Sequence, residues 1–138
     1  MKRPADAIAD LYARRACDFD ADRTKNLFER SWLDAFLAHV PQGGRGRFPD
    51  QAWITADMRG LDLGRTFDGV IAWHSLIHLP PEAQPGMLAV FARHLRPGGV
   101  LLFTSGSEEG ETIGEWRGEP LYHGSLSLDA YRTGLDDV

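Results

Sequence analysis

The chain has one cysteine, Cys17, in 138 residues. No internal disulfide can form, so the fold must rest on a packed core. Long apolar runs are also missing. No stretch is long enough to cross a bilayer as a helix, and no leader-like segment follows Met1-Lys2-Arg3-Pro4. Basic residues are not in excess: 15 Lys and Arg stand against 20 Asp and Glu, for a formal net charge of −5. That balance argues against a surface for nucleic acid, which needs clustered positive charge. What remains is the composition of an ordinary globular protein, 43% hydrophobic and 25% charged, in a chain sized for one domain. A cytoplasmic, non-membrane protein is the expectation.

Apolar spacing predicts two opening helices. The first runs from about Ala5 to Ala16, with Ile8, Leu11 and Tyr12 on one face. The second carries Leu27, Phe28, Trp32, Leu33, Phe36, Leu37 and Val40 on one stripe. Trp32 and Phe36 read there as core. Asp20, Asp22 or Thr24 can cap its start, and Pro41 with the glycines after it stops it. The stretch from Gln42 to Gln51 is a glycine-rich loop. Its Gly43-Gly44-Arg45-Gly46 run lacks the strand before and helix after that a nucleotide loop requires, so it reads as a linker. Trp53 to Ala56 predicts a short strand.

Phe67 to Trp73 is a near-continuous apolar run, as expected for a strand buried on both faces. Pro80 and Pro81 open a helix lined by Met87, Leu88, Val90, Phe91 and Leu95. Arg96-Pro97-Gly98-Gly99 ends it, and Val100 to Ser105 forms the next strand. Strand, helix and strand together have the length of one right-handed parallel crossover. In the tail, Glu108, Glu109 and Glu111 form an acidic loop. Ile113 to Tyr122 is extended, and Ser127 caps a short helix reaching Leu135.

Three segments carry a resemblance: Ala56-Asp57-Met58-Arg59, then Phe67 to Leu79, then Leu95 to Gly106. In this order they resemble the second part of a class I S-adenosylmethionine (SAM) dependent methyltransferase acting on a small molecule. The resemblance implies an α/β, truncated Rossmann-like fold, with a small, mainly parallel sheet flanked by helices. It implies one domain over 1–138, with helices in 1–41, a loop at the gap in 42–51 and the strand-helix-strand half and tail in 52–138. It also implies SAM as cofactor. By that resemblance Asp57 accepts from the adenine amine, Met58 packs on the ring, and Trp73 lies beside the cofactor. The alternative for Asp57 is a simple turn cap.

The turn after the Phe67 strand lies at a carboxyl end, where open α/β sheets bind ligands. His74 and His78 there are candidates for a general base, since histidine titrates near working pH. The other reading of His78 is a core histidine bonded locally. Their spacing also suits a metal, but no third and fourth ligand stand nearby, so none is expected. Thr104, Ser105 and Gly106 form a second carboxyl end, either a substrate contact or a plain turn. Trp116, Tyr122 and His123 resemble a region that covers substrate in some of these enzymes.

The front of the family pattern is missing. Strand one, the Gly-x-Gly-x-Gly loop and strand two with its ribose-binding acid need more than about 30 residues, and no such stretch separates Pro41 from Trp53. Among the SAM contacts, only the adenine side therefore carries over. The Phe67 strand also loses its neighbour and becomes an apolar edge, which proteins cover. The expectation is re-pairing within the chain or completion by a second copy, through a homodimer or domain swap. Three functions follow: an adenosyl-binding methyltransferase relative, a non-catalytic homodimeric remnant, and a small-ligand binder around Trp73, His74, His78 and Trp116.

Overall fold

The computed structural model describes residues 3–22, 30–39, 54 and 56–138. The elements in chain order are α1 (Ile8–Asp22), α2 (Arg30–His39), β1 (Phe67–Ala72), α3 (Gln84–Arg93), β2 (Leu95–Phe103), β3 (Gly110–Trp116), β4 (Glu119–Ser125) and α4 (Leu128–Asp136). Short 3-10 turns at Pro4–Ala7, Met58–Gly60, Leu76–His78 and Pro81–Ala83 join them. None of the described helices is long and apolar enough to cross a membrane.

The strand-helix-strand unit forms as its sequence predicts. β1 and β2 pair in parallel, with Gly69, Val70, Ile71 and Ala72 opposite Val100, Leu101, Leu102 and Phe103. Side chains alternate across the two strands. Val70, Ala72, Leu101 and Phe103 face Met87, Leu88, Val90 and Phe91 of α3, and Leu76 and Tyr131 complete that core. On the opposite face Phe36 of α2 sits over Gly69, where an added Cβ would come within 2.5 Å of the ring. The sheet is thus small, parallel and flanked by helices, a truncated Rossmann-like arrangement.

Several boundaries differ from the sequence reading. Leu95 belongs to β2, not to the helix. α3 stops at Arg93 because the buried His94 ring holds the Val90 carbonyl at 2.7 Å and the Leu63 amide at 3.0 Å. Register then jumps from Phe67↔Leu95 to Gly69↔Val100, so Arg96 to Gly99 bulge out of the ladder. Gly98 makes that possible at a φ of +77°, a conformation costly for any residue with a Cβ. The strand ends at Phe103, short of Ser105. β1 is only half-buried, and Ile71 is 46% exposed, not covered on both faces.

The opening helices also differ. α1 runs on to Asp22, with a kink at Arg15. Acidic residues in a last helical turn oppose the helix dipole, but Asp18 and Asp22 pair with Arg117 of the hairpin at 2.9 and 2.7 Å. Asp22 is therefore not a cap for α2. Trp32 is 64% exposed, not core, because α2 crosses only a narrow sheet and places Phe36 on it. Leu27, Phe28, Val40, the loop from Pro41 to Gln51, Trp53 and Thr55 lie outside the described residues. Ile54 and Ala56 stand in no strand.

The tail is an antiparallel hairpin, and the expected acidic loop gives Gly110 and Glu111 to it. Trp116 pairs with Glu119 across the two-residue turn Arg117-Gly118, at φ of +50° and +79°. Positive φ at both positions is the type I′ geometry that matches strand twist. α4 begins at Leu128, where the Ser127 hydroxyl accepts from the Ala130 amide at 3.1 Å.

Candidate functional site

β1 delivers its carboxyl end beside that of β2. The Thr104 amide donates to the Ala72 carbonyl at 3.2 Å, and the Thr104 hydroxyl accepts from the His74 amide at 3.2 Å. These bonds hold His74 at a φ of +46°, the left-handed region that a residue with a side chain rarely adopts. Its imidazole is exposed. Trp73 stands edge-on to it, with ring centres 5.4 Å apart. Strain at a strand end beside a cavity is a common property of functional turns.

His78 is placed differently. It is only 9% exposed. Its Nδ1 lies 3.0 Å from the Tyr122 carbonyl and its Nε2 lies 2.8 Å from the Tyr12 hydroxyl. A carbonyl can only accept, so Nδ1 carries the proton and Nε2 accepts from Tyr12. Burial pushes the His78 pKa below its ordinary value; the bond to the Tyr122 carbonyl works against this, and His123 and His74 add to the lowering. Both nitrogens are engaged within the protein. The expected general-base role does not fit this arrangement, since a base needs a free lone pair toward substrate. Tyr12, which holds it, was read only as one residue of a helical stripe.

His123 stacks on His78, with centres 5.2 Å apart. Its pKa is lowered chiefly by burial and then by His74. Tyr122 is buried and its hydroxyl donates to Glu111. Burial and then the Glu111 carboxylate raise its pKa strongly. Trp116 is half-buried at the far end of β3, under the Arg117 guanidinium. Trp116 is therefore remote along the strand from Tyr122 and His123, which pairing sets opposite Ile113 and Thr112. Among the described residues no group of three or more His, Cys, Asp or Glu is placed to hold a metal ion.

Asp57, the expected adenine contact, caps the Met58–Gly60 turn by accepting from the Arg59 amide at 2.9 Å. The Arg59 side chain grips the same carboxylate, closest at 2.6 Å. These bonds hold the Asp57 pKa down to about 2, so it is ionised at any physiological pH. Met58 packs against the core. It lines a cavity of about 380 Å³ that follows β1 from Leu61 and Phe67 to Ala72 and Ser75. The cavity floor is α3, through Met87 and Phe91. The fold brings Met58 and Ser75, in the turn after β1, to one cavity.

This is an α/β half-sheet of Rossmann type with a cavity along its first strand, from Phe67 to Ser75. Residues 33–99 match the methyltransferase domain family, just under half of the chain. Over that stretch the chain is similar to the class I SAM-dependent methyltransferases. No curated protein matches it, and no solved structure does.

Proposed function

We propose that this methyltransferase-like protein binds a SAM-type adenosyl ligand weakly, through its adenine end, in the cavity beside β1. One observation carries the reading: Met58, on the adenine side, and Ser75, at the substrate-side turn, line the same apolar cavity. The ring would lie on Met58. Asp57 would take the exocyclic amine once Arg59 swings aside, a small cost because both side chains are more than half exposed. His74 and Trp73 would face a small molecule at the far end. The reading extends to a reducing, cytoplasmic setting, which suits the exposed free Cys17.

Binding through an adenine alone is weak. At roughly 0.3–0.5 kcal/mol per ligand atom, a ten-atom ring reaches a Kd on the order of 1 mM. Titration calorimetry with SAM, S-adenosylhomocysteine and adenosine should give similar constants of that order. Asp57→Ala should weaken all three severalfold. No thermal shift at about ten times that concentration would sink the proposal, because a bound ligand must stabilise the fold.

A second reading rests on a different observation. Ile71 is 46% exposed on β1, whose outer edge has no partner strand among the described residues. Such an edge invites strand pairing. A homodimer along β1 would close it, without a catalytic role. Light scattering across micromolar concentrations should then show a dimer that Ile71→Lys dissociates. A monomer throughout rules this out.

A further inference from the structure

We propose that α1 is a strap over the hairpin, latched by the neutral His78 and released when that ring is protonated. Among the described residues, α1 meets the rest of the protein through contacts of at least three kinds. Ile8 and Leu11 are buried. Arg14 and Arg15 each reach Glu119 at 2.8 Å, and Asp18 and Asp22 take Arg117. The third contact is the hydrogen bond from the Tyr12 hydroxyl to His78 Nε2.

The first two kinds are insensitive to mild acid. Arg partners hold the Glu119 and Asp22 carboxyls below their ordinary range, so the ion pairs persist well below neutral pH. The latch is different. The groups facing His78 are Tyr12 from α1, the Tyr122 carbonyl and His123 from β4, and His74 from the turn after β1. The nearby carboxylate, Glu111 of β3, is already bonded by the Tyr122 hydroxyl. A proton added at Nε2 turns an acceptor into a donor. It also buries an imidazolium against two other histidines. Water is a better surrounding for that charge, and α1 is the element whose departure admits it.

The direction follows from linkage. Above the ordinary histidine pKa of about 6.5, the ring is neutral in both states and the strap stays closed. Below it, the open state takes up a proton that the closed state refuses. Closing then weakens by up to about tenfold per pH unit for one proton, until the depressed pKa of the closed state is reached.

Hydrogen exchange of the 8–22 amides, corrected for intrinsic rates, reads the strap. Between pH 7.5 and 5.5 we expect α1 protection to fall by up to about tenfold, with α3 unchanged. In His78→Gln the two pH values should agree within about threefold. If that variant does not fold, ring NMR of the wild-type protein decides. His78 should be neutral and Nδ1-protonated at pH 7, and should titrate below the ordinary value in step with α1 opening. A pH-independent α1, an opening while His78 is still neutral, or a His78 titrating at or above the ordinary value overturns the proposal.

Discussion

The two halves of the molecule are held by different forces. The inner half, β1, α3 and β2, packs through apolar side chains: Ala72, Met87, Leu88, Val90 and Phe91 are almost wholly buried. The outer half, the hairpin with α1 and α4, adds a set of polar bonds to its apolar contacts at Ile8, Leu11 and the Tyr131 ring. Gln84, fully buried on α3, donates to the Leu79 and Gly124 carbonyls at 2.9 Å each and to that of Leu76 at 3.3 Å. Its carbonyl oxygen accepts from Tyr131 of α4. One amide thus ties α3 to the turn before it, to β4 and to α4. The family match stops at Gly99 and begins at residue 33, so α1, the hairpin and α4 lie outside it. A polar joint fixes geometry more tightly than it stabilises, which suits a layer that must sit in one register on a shared core.

The sharpest way to break this comparison is Gln84→Ala. It leaves the Leu79 and Gly124 carbonyls without their buried partner, while the Leu76 carbonyl keeps the Leu79 amide and the Tyr131 hydroxyl keeps Ser125 and the Leu126 amide. Each unsatisfied group costs about 1–3 kcal/mol, so a loss of about 4 kcal/mol is expected in urea unfolding. Near-UV circular dichroism should show Tyr131 and Tyr122 losing their fixed environments. A loss under about 1 kcal/mol would mean that the outer half is held by something else.

Leu88→Ala tests the inner half. The side chain is 1% exposed, inside the cluster of α3 with β1 and β2. A loss of about 3 kcal/mol is expected from transfer and cavity together. Its signature should differ from that of Gln84→Ala: the unfolding midpoint falls, but the tyrosine environments stay native below the transition.

The inner half was the legible one, for a physical reason. Its signals are local: an apolar run from Phe67, prolines at Pro80 and Pro81, and the Arg96-Pro97-Gly98-Gly99 stop. The outer half depends on partners distant in sequence. Nothing near His78 announces Tyr12, 66 residues earlier, and no spacing rule shows that Arg117 will lengthen α1 past Ala16. The hairpin was visible only as extended chain, because Arg117-Gly118 is a weaker type I′ signal than Asn-Gly. Trp32 misled because an apolar stripe assumes a surface wide enough to cover it, and a two-stranded sheet exposes the end of α2. Of the candidate site, the turn-cap reading of Asp57 and the core-histidine reading of His78 match the bonds observed. The identity of the His78 partners is not legible, since hydrogen-bond partners distant in sequence belong to the fold.

The smallest expected effect sharpens the comparison from the other side. Arg117 bridges Asp18 and Asp22 of α1 from the hairpin turn, but its side chain is 41% exposed. Exposed ion pairs are screened and entropically costly to hold, so they add little to global stability. Arg117→Ala should leave the urea midpoint unchanged within error while raising amide exchange in the last turn of α1, from Asp18 to Asp22. Added salt should do the same to the wild-type protein, with no further effect on the variant. If Arg117→Ala instead lowers the midpoint as far as Leu88→Ala does, charge at the hairpin turn belongs with the core interactions. The division between an apolar inner half and a polar-jointed outer one would then fail at a part-exposed contact.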